Sequence, residues 1–171
     1  MESTENVTQL PMVANENQET IVAWATDTFG VCDDVAVLAS RAAEEACELV
    51  NEYFVNGVTD KVLDEIADVY VVSCQVAARY NVRIGFVSEA RRQNHRVVVP
   101  QVLNLSAVIV AATVDENIHI TPLLRNLEGC LNSLAVSCGE ASLQELVNTK
   151  MAINRDRTWV VGVDGVGQHV D

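Results

Sequence analysis

The tightest constraint on the fold lies between Asp34 and Tyr80, where two long stretches of helical periodicity are separated only by Gly57, Val58 and Thr59. Helices joined by so short a connection are normally antiparallel neighbours. Asp33 or Asp34 can cap the first stretch and Asn56-Gly57 can stop it. Thr59 can cap the second, which should run to about Tyr80. Ala, Val and Leu are plentiful and aromatics make up only 5% of the chain, a mixture that fills the space between packed helices better than a sandwich of sheets. The expected fold class is therefore all-α, and 171 residues suffice for one domain.

The rest of the chain extends this pattern. Residues 1–15 are polar and aperiodic and are expected to form a flexible arm, with the domain occupying residues 16–171. A short helix should cover about Glu16 to Phe29 and end at Gly30. Residues 81–96 contain Gly85, Arg91, Arg92, His95 and Arg96, a polar and locally basic stretch that reads as a loop with at most a short irregular helix. Beyond them come an apolar segment around Pro100 to Thr113 and a helix opening at Thr121-Pro122 and stopping near Gly139, with Pro122 in the first helical position. A last helix opens at Ser142, which has capping-box spacing with Glu145. From about Arg157 the tail is expected to be irregular or β, with a short strand over Thr158 to Val163.

Twenty-four acidic residues against 11 Lys and Arg give a formal charge of −13, which disfavours binding to a nucleic-acid backbone. A polyanionic small molecule would then need a metal or a local basic patch to approach. The five cysteines, Cys32, Cys47, Cys74, Cys130 and Cys138, show no CxxC spacing, so neither zinc nor a disulfide framework is expected, and a reducing cytoplasm fits best. The opening MESTENVTQLP has neither a positive cluster nor a long apolar run, so no signal peptide is expected. Val97 to Val114 is the best membrane candidate. It contains Pro100, Gln101, Asn104 and Ser106, and a helix buried between subunits explains it better, so no membrane partner is expected. His95, His119 and His169 are scattered, without a neighbour that would make a nucleophilic triad. The glycines of GVDGVG, Gly162 to Gly167, lack the long strand before and the helix after that a phosphate loop requires.

The chemistry concentrates in RAAEEACELVNEY, Arg41 to Tyr53, and DEIADVY, Asp64 to Tyr70. At helical spacing Glu44, Glu45 and Glu48 project toward one side, while Ala42, Ala46, Leu49 and Tyr53 take much of the other. On the next helix Glu65 and Asp68 are one turn apart. If the two helices pair, the two acidic groups can face each other. Two unit charges about 5 Å apart at an effective dielectric of about 20 repel by roughly 3 kcal/mol, so something must compensate. Protonation is one answer and a hard divalent cation the other. Without His or Cys in the cluster, the ligand chemistry points to magnesium or manganese. Any one of these acids alone is more often a solvated surface residue, and spacing by itself leaves the metal site and the solvated faces both open.

The pattern EExxE at Glu44, Glu45 and Glu48, followed after 16 residues by ExxD at Glu65 and Asp68, resembles the MazG-like branch of the all-α nucleoside triphosphate pyrophosphohydrolases. The flanking EEACEL and DEIADV match too, and the likeness runs from about Trp24 to Tyr80, whereas residues 81–145 resemble nothing specific. The resemblance implies a helical bundle completed by a second subunit, hence a homodimer or homotetramer. It implies two or three Mg2+ ions, with Mn2+ as a substitute, held by Glu45, Glu48, Glu65 and Asp68, and Glu44 as a supporting or water-activating carboxylate.

The segment KMAINRDRTW, Lys150 to Trp159, resembles a stretch that follows the bundle in phage and bacterial MazG-like proteins. Lys150, Arg155 and Arg157 suit phosphate oxygens, and Asn154 or Trp159 can contact a base. Trp24 with Phe29-Gly30 resembles the WxxxxFG start of related proteins, giving Trp24 a stacking or lid role, although an aromatic on a helix is more often core. Lys61 can touch a phosphate or merely pair with Asp64 or Glu65. The expected activity is Mg-dependent hydrolysis of nucleoside triphosphates to the monophosphate and pyrophosphate. The compact layout is similar to the phage MazZ subgroup, which acts on dGTP and GTP, so remodelling of a nucleotide pool in a host cytoplasm is implied. The alternative is a non-catalytic acidic bundle that binds a nucleotide or protein partner.

Overall fold

The computed structural model describes residues 15–139, 141–161 and 167–170. Among them the chain is mostly helical. Its elements are α1 (Gln18–Phe29), α2 (Val35–Asn56), α3 (Asp60–Arg79), α4 (His95–Ala112), α5 (Ile120–Cys138), α6 (Leu143–Asp156), β1 (Thr158–Val161) and β2 (Gly167–Val170). The strands form one antiparallel ribbon with Thr158 opposite Val170 and Val161 opposite Gly167. The expected strand ends at Val161, and Val163 lies outside the described residues, as do residues 1–14 of the expected arm.

The predicted start and stop signals operate where local chemistry decides. The Asp34 carboxylate accepts from Ala36 N, Thr59 Oγ1 from Val62 N, and Ser142 forms a reciprocal capping box with Glu145. Gly30 and Gly57 end α1 and α2 at φ 81° and 75°, a region that a Cβ makes costly. The opening of α5 differs from expectation. His119 is the N-cap, without a side-chain hydrogen bond, so the helix begins at Ile120 and Pro122 sits at the third position, still within the first turn where a missing N–H costs little. The fourth helix begins earlier than its apolar core suggests. Asn94 Oδ1 accepts from Arg96 N, so α4 opens at His95 and carries Pro100 inside it.

α3 is the centre of the molecule and packs against α1, α2, α5 and α6, while α4 packs against both α2 and α5. Helices α2, α3, α5 and α4 thus close a ring around a core built from Leu49, Ile66, Tyr70, Val102, Ile109, Leu127, Leu131 and Leu134. Much of the apolar surface of α4 and α5 expected to lie between subunits is therefore covered within the chain. α4 is long and apolar enough to cross a membrane, with a third (33%) of its length buried. Its Val98, Val99, Val102, Ile109 and Ala112 face the bundle.

Between α3 and α4 the chain forms no helix. Residues 82–93 run along α5 as a strap, held by polar side chains four and five residues apart on that helix. Gly85 N donates to Glu128 Oε1 (2.8 Å), Val87 N to Asn132 Oδ1 (2.9 Å) and Gln93 N to Ser137 Oγ (2.8 Å). Gln18 on α1 completes the anchorage by donating to Val82 O and accepting from Ile84 N. An extended segment can stay close to a core only when its backbone groups find such partners.

Candidate functional site

One face of α2, α3 from Lys61 to Gln75, the end of α1, the end of α6 and the start of β1 enclose a cleft of about 950 Å³. Glu45 and Glu65 are buried and Asp68 is half-buried, and each places a carboxylate oxygen within 4.8 Å of the other two. Glu45 stands in the helical row of Ala42, Ala46 and Leu49, on the buried face of α2, rather than with Glu44 and Glu48 on its solvent side. That corrects the expected grouping. Glu44, Glu48 and Glu45 stand at about 0°, 40° and 100° around the helix, so they span an arc whose Glu45 edge is covered by the neighbouring helices while its Glu44 and Glu48 side stays open. Glu44 and Glu48 are exposed and line the cleft, but they do not join the three convergent acids.

Burial first, and then the neighbouring Asp68, pushes the carboxyls of Glu45 and Glu65 up to about 7. The Asp68 carboxyl is also raised by burial, against the pull of Lys150. These directions follow from crowding like charges in a poorly hydrated place. Each acid is held by one cation. Arg41 Nη2 lies 2.5 Å from Glu45 Oε1, Lys150 Nζ 2.5 Å from Asp68 Oδ2, and Lys61 Nζ 3.8 Å from Glu65 Oε1. The donor set is all-carboxylate, convergent and free of nitrogen and sulfur, which fits a hard divalent cation such as magnesium or manganese.

The opposite wall is aromatic. Trp24, Phe29 and Trp159 meet edge to face with ring centroids 5.3 to 5.8 Å apart, and all three line the cleft. Trp159 is set by its own neighbourhood: its Nε1 donates to the Asn154 carbonyl at 2.7 Å. The Asn154 side chain is 4% exposed and its Oδ1 has no hydrogen-bond partner among the described residues. A buried amide oxygen left so is costly unless a ligand supplies a donor.

Of the residues singled out in the sequence, Trp24, Glu44, Glu45, Glu48, Lys61, Glu65, Asp68, Lys150, Asn154, Arg157 and Trp159 all line this one cleft. Arg155 does not. Its guanidinium faces the other way along α6 and grips the buried Glu16 carboxylate with Nε at 3.0 Å and Nη2 at 3.1 Å, so the expected phosphate role is replaced by a structural one. Arg155 lies in the last turn of α6, whereas Arg157 caps the helix with an extended backbone (φ −75°, ψ 150°), and the two part company there. The residue overlooked in the sequence is Arg41. It is the sole cation between Gly30 and Lys61, and its spacing of three and four to Glu44 and Glu45 was the available signal. No family model, curated protein or solved structure matches the chain.

Proposed function

We propose that this cleft hydrolyses nucleoside triphosphates to the monophosphate and pyrophosphate, with dGTP and GTP as preferred substrates, in a reaction that depends on Mg2+ or Mn2+. The observation that supports this reading most is the convergence of Glu45, Glu65 and Asp68 in a cleft that also carries four cations and an aromatic wall. Charge sets the stoichiometry. Six carboxylates (Glu44, Glu45, Glu48, Asp64, Glu65, Asp68) and four cations (Arg41, Lys61, Lys150, Arg157) line the cleft. A triphosphate adds about four negative charges, so two or three divalent ions bring the assembly close to neutral.

Glu45, Glu65 and Asp68 would hold the ions, with Glu48 joining from the rim of α2. Bound there, magnesium would supply Lewis acidity to the phosphate oxygens and lower the pKa of a nearby water. In the proposed reaction, a water oxygen adds to the α-phosphorus, the bond from that phosphorus to the bridging oxygen breaks, and pyrophosphate leaves. Glu48, with Glu44 behind it, takes the water's proton. Lys150 and Arg157 meet the phosphate oxygens by charge-assisted hydrogen bonds. Trp24 and Trp159 pack on the base, and the unpartnered Asn154 Oδ1 accepts from a base N–H, a donor that guanine carries on its pairing edge. A cleft of this kind belongs to the reducing cytoplasm that the five free thiols suit.

We also propose that the protein is a homodimer or homotetramer. The surface available for it is smaller than the sequence suggests: Phe54, Val55 and Val58 at the end of α2, and Val97 and Val108 on α4, remain exposed. The functional reading is tested with purified protein and eight ribo- and deoxynucleoside triphosphates, following pyrophosphate and orthophosphate separately. Pyrophosphate release that stops in excess chelator is expected. Phosphate released one unit at a time, or nucleotide bound without any turnover, would point instead to another hydrolase or to a non-catalytic binding bundle.

A further inference from the structure

We infer that Arg41 is a triphosphate-binding residue held in reserve: it neutralises Glu45 while no metal is bound and transfers its guanidinium to the phosphate oxygens once a divalent ion takes that carboxylate. The inference rests on the proposed pyrophosphohydrolase reading and adds to it a substrate-binding residue and an order of events.

The geometry of Arg41 carries the argument. Its Nη1 lies 3.0 Å from Glu44 Oε2 and its Nη2 2.5 Å from Glu45 Oε1, so one fork spans an exposed carboxylate and a buried one. The Glu45 oxygen it engages belongs to a carboxylate that would also hold the ion. A carboxylate oxygen accepting from a guanidinium has less electron density to give a hard cation, so arginine and metal compete for Glu45. Arg41 loses that contest on charge alone, one unit against two. Its side chain is 36% exposed, so release requires no break in the core.

The direction of release follows from what surrounds it. The other cations of the cleft come from α3 and from α6 with its following residue: Lys61, Lys150 and Arg157. Arg41 is the one cation that α2 contributes, and it lines the same cleft. Without it a triphosphate would be gripped along two walls, and the only charged groups facing it from α2 would be Glu44, Glu45 and Glu48. A guanidinium is also suited to phosphate oxygens, since its planar fork forms two parallel hydrogen bonds and stays charged at any working pH. The exchange involves no proton transfer: an Arg41–Glu45 ion pair is broken and an Arg41–phosphate pair is made. Glu44 keeps one arm of the fork close to the α2 wall meanwhile.

Competition predicts effects of opposite sign from one substitution. Mn2+ binding without nucleotide is measured by the loss of the free-ion electron paramagnetic resonance signal, for wild type, Arg41→Gln, Arg41→Lys and Glu45→Gln. Binding of a non-hydrolysable α,β-methylene triphosphate is then measured by calorimetry with Mn2+ present. Arg41→Gln should bind Mn2+ alone about threefold tighter, in the range of a half-exposed ion pair. It should bind the analogue about tenfold weaker, the size of one charge-assisted bond. Arg41→Lys, which keeps the charge but not the fork, should fall between on both readouts, and it preserves the test if the glutamine variant is poorly folded. If wild type binds Mn2+ and the analogue, Glu45→Gln loses Mn2+, and both Arg41 variants follow wild type, the exchange is wrong and the metal-dependent function stands. If wild type binds neither, both fall together.

Discussion

Glu45 shows how one residue can work against the fold that holds it. It lies on the buried face of α2 beside Ala46 and Leu49, where a carboxylate is costly, and burial together with Asp68 raises it to about 7. A metal reverses that cost, and so does removal of the charge. Glu45→Gln should therefore raise the melting temperature of the metal-free protein at pH 8, while metal-supported pyrophosphate release is abolished. Calorimetric melts and a turnover assay on one preparation check both halves, and a variant that is less stable and still active would contradict them. Lys150 makes the complementary case. It is 8% exposed and pairs with Asp68 across the α3–α6 contact. Lys150→Ala should lower turnover or raise KM by about tenfold or more, on the order of 1.5 to 3 kcal/mol for a charge-assisted bond. Wild-type kinetics in this variant would remove Lys150 from the phosphate site.

At the level of elements, α1 packs on α3, and α6 anchors the residues that lead into it. Glu16, 6% exposed, accepts the bidentate Arg155 fork, its N–H donates to Asn148 Oδ1 (2.9 Å), and Gln144 Nε2 donates to its carbonyl (2.8 Å). α1 also carries Trp24 and Phe29, two of the three rings on the aromatic wall. Arg155→Ala leaves the buried Glu16 carboxylate without its cation and with Thr20 Oγ1 still donating to it, a loss of about 1 to 3 kcal/mol. We expect a lower melting temperature and a raised KM, because the Trp24 side of the wall loosens, with kcat within about threefold of wild type. A fall in kcat at unchanged stability would instead return Arg155 to the reacting phosphates. The strap over residues 82–93 follows the same logic, since its backbone is satisfied by Glu128, Asn132 and Ser137 on α5 rather than by its own residues.

For the whole molecule, the raised carboxyls tie stability to pH. Glu45 and Glu65 have an ordinary value of 4.5 and reach about 7 in the fold. A group raised on folding contributes stability that is fully present below its unfolded value and lost as pH rises through its folded value. The metal-free protein should thus melt progressively lower between about pH 5 and pH 8. Mg2+ should reverse this, and more strongly at pH 8, where the ligands are ionised. At a hundredfold excess over its dissociation constant the gain is about 2.7 kcal/mol, or roughly 5 to 10 °C for a domain of this size. A flat pH profile, or a Mg2+ effect no larger at pH 8 than at pH 5, would contradict the cluster as a metal site. Association belongs to this scale too. Light scattering at micromolar concentration should give at least a dimer mass, and Phe54→Asp with Val97→Asp should lower it. A monomer in the unaltered protein would mean that the in-chain packing of α4 and α5 already completes the bundle.

What the sequence determined by itself was local. Helix starts at Asp34, Thr59 and Ser142 and stops at Gly30 and Gly57 depend on groups within a few residues, and they stand where those residues put them. The α2–α3 hairpin follows from the shortness of its connection, and the capacity of Glu65 and Asp68 to face α2 follows from that hairpin. The tertiary structure decided which side of each helix the neighbours cover, and no spacing contains that information. It put Glu45 inside and Glu48 outside, turned Arg155 to Glu16 and Lys150 to Asp68, and brought Trp24 and Trp159, 135 residues apart in the numbering, to a centroid distance of 5.8 Å. It also closed the ring of α2, α3, α5 and α4 within one chain, because the apolar faces of α4 and α5 were buried against helices already in the chain.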